Sequence, residues 1–87
     1  MMIVYLIQNS KTLELYIGKT NNLERRLSEH NAGKQTATKR LDGNWTLVYA
    51  EAYRDKKDAD ERELKLKQYG SSKRGLLNRI KRSMLDS

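Results

Sequence analysis

The sequence predicts an α/β domain of the α+β kind, with three strands and about three helices. Three stretches carry that expectation. Met2 to Ile7 (MIVYLI) is an unbroken apolar run of strand length, and a run without alternation suits a central strand covered on both faces. Tyr16 to His30 (YIGKTNNLERRLSEH) passes from apolar alternation, through Gly18, into a helical pattern. Trp45 to Tyr53 (WTLVYAEAY) has the aromatic and β-branched composition of a strand.

Asn9, Ser10, Lys11 and Thr12 supply turn chemistry after the first run, so the first two strands are expected to form an antiparallel hairpin. In the second, Leu13, Leu15 and Ile17 share one face while Glu14, Tyr16 and Gly18 share the other, which brings Tyr16 near Tyr5 across the sheet. Asn21 with Glu24 three residues on is an N-cap signature, because an Asn oxygen can take up an unpaired helical N–H. The helix is predicted from about Asn22 to Asn31, stopping at Gly33. Leu23, Leu27 and His30 fall on one of its faces, with Arg26 beside it. Residues 33–44 read as a loop carrying Lys34, Lys39 and Arg40. Asp55 and Asp58 open a second helix, expected to end at Tyr69-Gly70, with Ala59, Glu63, Leu66 and Gly70 on one stripe. A carboxylate on that stripe costs desolvation unless it meets a cation or hydrogen-bond donors. Ser71 or Ser72 is expected to cap a third helix whose Leu76, Leu77, Ile80 and Met84 face inward, with Asn78 near the opposite edge.

With 18 Lys+Arg against 11 Asp+Glu the net charge is +7, which favours a polyanionic partner. All the basic residues but Lys11 lie in 19–40 and 54–87. Clusters of this kind touch phosphates in a nucleic-acid binder and are plain solvated surface in any other protein. The absence of cysteine excludes disulfides and cysteine-centred zinc sites. No apolar run approaches the roughly 18 residues of a membrane span. The chain therefore reads as a single domain over 1–87, soluble and cytoplasmic, with no membrane partner. No pattern speaks to its oligomeric state.

Tyrosine, arginine and histidine brought to one neighbourhood can handle a phosphate and a proton. Arg26 offers a planar fork of donors matched to phosphate oxygens. His30 titrates in a useful range, whereas a tyrosine, with a free pKa of about 10, becomes a base only where its surroundings favour the phenolate. One inward Glu63 is enough for magnesium, which takes one or two carboxylates and keeps several waters.

Ile3-Val4-Tyr5, Tyr16-Ile17-Gly18, Arg26 with His30, and Ala59 with Glu63 and Lys67 stand in the order and spacing of the GIY-YIG nuclease domain. The chain resembles that family from about Val4 to about Ile80, most of all its small stand-alone members. The resemblance implies a three-stranded antiparallel sheet with helices packed on it, one divalent metal (Mg2+ or Mn2+), and hydrolysis of a DNA strand, in repair or recombination. It implies that Tyr5 and Tyr16 are paired tyrosines, one of them the general base. It makes Arg26 the phosphate-binding arginine, His30 its partner and Glu63 the single metal ligand. Lys67 would line the substrate path, and Lys19, Lys34, Lys39, Arg40 and Asn78 are further expected substrate contacts. Of the two tyrosines, Tyr5 is expected to activate the water, since its run should hold the ring rigidly, and Tyr16 to tune the same site. Ile3 replaces the first glycine of the family motif and is expected to crowd that spot. No base-reading module is visible, so specificity should be low, structure-selective or supplied by a protein partner. Two other readings compete. A binding module that does not cut has no use for a carboxylate on a core-facing stripe. A ribosome- or RNA-associated protein would stack bases on exposed aromatics, whereas Tyr5 and Tyr16 lie in or beside apolar runs.

Overall fold

The structure, a computed structural model, describes residues 1–33 and 43–85. Lys34, Lys39 and Arg40 lie outside the described residues. Six elements follow one another: β1 (Met2–Asn9), β2 (Leu15–Thr20), α1 (Leu23–Asn31), β3 (Trp45–Tyr53), α2 (Lys56–Gln68) and α3 (Gly70–Arg79). The strands form one antiparallel sheet in the order β2-β1-β3, so the unbroken apolar run is the central strand. Its even positions, Val4 and Leu6, join Ile17 in a core with Ala59, Leu66 and Leu76 from α2 and α3. Its odd positions, Tyr5 and Ile7, pack with Trp45 and, more loosely, with Ile3, Tyr16, Leu23 and Leu27. The sheet is thus covered by α1 on one face and by α2 and α3 on the other.

Local chemistry moves several boundaries. Leu13 is not part of β2; its φ of 64° puts it in the left-handed region, inside a turn longer than four residues. The buried Asn9 organises that turn, its Oδ1 accepting from the backbone N–H of Lys11 and Thr12 at 2.9 and 3.0 Å. The α1 cap is Asn22 rather than Asn21, with Oδ1 accepting from the Arg25 N–H at 3.0 Å. Thr20 decides between the two adjacent asparagines, because its hydroxyl accepts from the Asn22 N–H (3.1 Å) and lies 3.2 Å from the Asn22 carbonyl. Asp55 caps α2 as expected, taking the Lys57 N–H at 2.7 Å. No serine caps α3. Tyr69 ends α2 and starts α3 at once, its carbonyl accepting from Ser72 and Lys73, and Gly70 is exposed at the new helix start. α3 closes at Arg79, so Ile80 and Met84 follow the helix, though Ile80 still packs on the core.

At the far end of α1, Asn31 clamps the start of β3. Its Nδ2 donates to the Trp45 carbonyl at 3.1 Å and its Oδ1 accepts the Trp45 N–H at 2.7 Å. Asn31→Ala removes both bonds and is expected to cost about 1–3 kcal/mol, read as a lowered urea midpoint at unchanged m-value.

Candidate active site

The site is built around the outer edge of β2. Gly18 stands directly opposite Tyr5 in the strand register. A Cβ on Gly18 would come within 2.3 Å of the Tyr5 hydroxyl oxygen and 2.4 Å of its Cζ. Only a residue without a side chain lets the Tyr5 ring lie across this strand. Tyr5 is 2% exposed, and its hydroxyl shares a 2.9 Å hydrogen bond with Nε2 of His30, equally buried in the last turn of α1. Tyr16 completes the cluster, its ring centroid 6.4 Å from that of Tyr5 and edge-on to His30 at 5.0 Å. Tyr16 is only half-buried, so of these three it is the one that reaches solvent.

Burial pushes the Tyr5 phenol well above the ordinary tyrosine range; Tyr16 pushes the same way, Arg26 pulls back, and Glu63 and Glu29 add to the rise. Burial also holds the His30 imidazole below its ordinary value, with Arg26 acting in the same sense and Glu29 against it. Both partners of the buried bond are therefore neutral at pH 7. This runs against the expectation that Tyr5 activates the water: its hydroxyl is sealed from solvent, and its ionised form is disfavoured.

Arg26 emerges from α1 beside these rings. Among the described residues its buried Nε finds no hydrogen-bond partner, and Glu29 Oε1 is 3.8 Å away. A buried guanidinium N–H left in this state is suited to an incoming anionic oxygen.

Glu63 arrives from the opposite helical layer, on α2, with its side chain 18% exposed. Lys19 Nζ lies 3.6 Å from its Oε1, and Lys67 Nζ lies 3.4 Å from its Oε2. Lys67 is also 6.0 Å from the centroid of the Tyr16 ring, which links the carboxylate to the tyrosine cluster. Lys19, expected on the substrate, instead hydrogen-bonds Asp60, with Glu63 Oε1 3.6 Å from its ammonium. Asp60 had no place in the sequence reading. The signal was its position, one turn before Glu63 on the same helix. Asn78 lines an open hollow of about 340 Å³ with Arg79, Ile80, Lys81, Arg82 and Ser83 at the end of α3. Ile3 joins the Tyr5–Ile7–Trp45 layer, with the small Ala52 opposite it on β3.

The donors fit a hard, oxygen-preferring cation. Neither ammonium beside Glu63 has closed to normal hydrogen-bond length, at 3.6 and 3.4 Å, so its carboxylate oxygens keep acceptor capacity. Among the described residues no three His, Cys, Asp or Glu gather as a metal cluster. A cation on Glu63 would therefore complete its shell with water and phosphate, which suits Mg2+ or Mn2+ and not zinc.

The family model of the GIY-YIG catalytic domain matches residues 1–80. A UPF0213 protein of Vibrio campbellii is 36% identical over 74 residues, covering 85% of this chain and 70% of that protein. Another, from Clostridium perfringens, is 41% identical over 64 residues, 74% of this chain and 68% of its own length. The solution NMR structure of the UPF0213 protein BH0048 from Bacillus halodurans aligns with a TM-score of 0.57 at 29% identity, over 93% of this chain and 86% of that one.

Proposed function

Because the chain belongs to the GIY-YIG catalytic domain family, a family of nucleases acting on DNA, we propose that it is a divalent-metal-dependent endonuclease hydrolysing DNA phosphodiester bonds with little sequence preference. The observation that carries this reading is the meeting of two half-sites at the β2 edge. From the α1 side come Arg26, whose buried Nε has no hydrogen-bond partner among the described residues, and the Tyr5–His30 pair. From the α2 side come Glu63 and Lys67, the latter beside the Tyr16 ring. One side supplies donors for a phosphate and a held proton; the other supplies a carboxylate for a cation.

Arg26 takes the non-bridging phosphate oxygens, turning its orphaned N–H toward the charge that grows there. Tyr16 is the hydroxyl that meets the attacking water, being the half-exposed member of the cluster. Tyr5 and His30 act behind it, fixing its orientation and holding a proton between two neutral groups in a dry pocket. Lys67 sits where it can offset negative charge on the Tyr16 side of the site. Glu63 would hold the Mg2+ or Mn2+, which when bound supplies Lewis-acid neutralisation of the phosphate. The net charge of +7 draws DNA to the surface, in a binding mode that weakens with salt.

Incubation with supercoiled plasmid tests the proposal. Nicking with Mg2+ or Mn2+ and none after chelation is expected; binding without cutting in either metal would make the chain a non-cleaving module. Within the active protein, Tyr16→Phe should cost about 10²- to 10⁴-fold in single-turnover rate, and Tyr5→Phe less. Both changes keep the ring and remove only the hydroxyl. The reverse order would assign the base to the buried Tyr5–His30 pair.

A further inference from the structure

Lys19 follows Gly18 directly on β2, and its ammonium lies between two carboxylates of α2, Asp60 Oδ1 at 2.5 Å and Glu63 Oε1 at 3.6 Å. The two acids are three residues apart and so share a helix face. Their contacts differ in kind. The Asp60 contact is a short hydrogen bond, while the Glu63 separation is beyond normal hydrogen-bond length. Lys56 steadies Asp60 from its own helix, bonding Oδ2 at 2.9 Å. The side chain of Lys19 is 25% exposed.

From this geometry we infer that Asp60 is a positioning residue, holding the Lys19 ammonium away from Glu63 and so leaving a Glu63 oxygen open to a divalent cation. The inference rests on the reading of Glu63 as the metal ligand. Lysine carries three donors on a flexible stem. Without Asp60 a shift of about 0.6 Å would bring Lys19, now 3.6 Å away, to bonding distance of Oε1. A magnesium-type ion must approach that same oxygen to about 2.0–2.1 Å, so a fully bonded lysine and the ion exclude one another. Asp60 settles the competition from a distance.

The test is titration of Mn2+ alone, without DNA, into the whole chain, with free ion followed by its paramagnetic resonance signal. Asp60→Asn is expected to weaken Mn2+ binding by about tenfold, the scale of one charge-assisted hydrogen bond, and Asp60→Glu to restore it. In a Lys19→Met background, where no ammonium competes, Asp60→Asn should change little. An equal loss with Lys19 absent means that Asp60 acts on the ion directly, and unchanged binding in Asp60→Asn means that it has no part; either result overturns the inference and leaves Glu63 as ligand. If the unaltered chain takes up no Mn2+, or Glu63→Gln binds it equally well, the metal assignment and the inference fall together.

Discussion

Gly18→Ala is expected to abolish detectable cleavage and to destabilise the fold by about 1–3 kcal/mol, the usual cost of forcing a methyl into a packed site. The new Cβ would overlap the Tyr5 hydroxyl and Cζ, at 2.3 and 2.4 Å, so this is no clash with the tip of a mobile chain. Tyr5 cannot yield easily, since its ring is packed with Ile7 and Trp45 on the central strand. If the ring moves, the 2.9 Å bond to His30 is lost; if the strand moves, Tyr16 and Lys19 move with it. Either way both halves of the site lose register. Gly75→Ala is the matched control, because a Cβ there meets nothing within 4 Å. On α3 it should be neutral or stabilise by up to ~1 kcal/mol. Urea unfolding and single-turnover cleavage on the two variants, side by side, separate a local wedge from a general intolerance of alanine.

Glu63→Gln is expected to lower cleavage by at least about a hundredfold, since a catalytic cation contributes several kcal/mol. The substitution keeps the shape of the side chain and removes one negative charge. Its two lysine contacts, at 3.6 and 3.4 Å, lie partly in solvent, so stability should fall by less than ~1 kcal/mol. DNA affinity should hold or rise, because the net charge of +7 becomes one unit more positive. Plasmid cleavage paired with fluorescence anisotropy on labelled duplex reads both quantities. Full activity at equal occupancy would remove Glu63 from the metal and leave the chemistry to the tyrosine cluster.

Much of the frame was legible because it depends on pattern. MIVYLI has no polar alternation and is the central strand; WTLVYAEAY is β3 from first residue to last. The meeting of Tyr5, Tyr16 and His30 followed from strand parity and helix periodicity. What was missed depends on register and on single atoms. Asp60 acquires its role only when α2 packs beside β2, 41 residues from Lys19. The reason for glycine at position 18 exists only once Tyr5 is known to lie opposite. Two adjacent asparagines are equal as caps until the Thr20 hydroxyl chooses one. With Tyr5 the premise was in hand: a strand covered on both faces hides a hydroxyl as thoroughly as it fixes a ring.

The position of β1 also sets the order in which the molecule can be assembled. The first of the three strands ends up in the middle of the sheet, with Tyr5 paired to Gly18 on one side and to Ala50 on the other. As the chain leaves the ribosome, the β1–β2 hairpin and α1 can form while β1 still lacks its second partner. Until Tyr53 has emerged, the most apolar strand of the protein offers an unpaired edge, the feature that recruits foreign strands. Closing that edge needs a contact across about half the chain, which is slow relative to hairpin formation. The edge stays open until β3 docks, and the Asn31 clamp on Trp45 fixes where β3 begins.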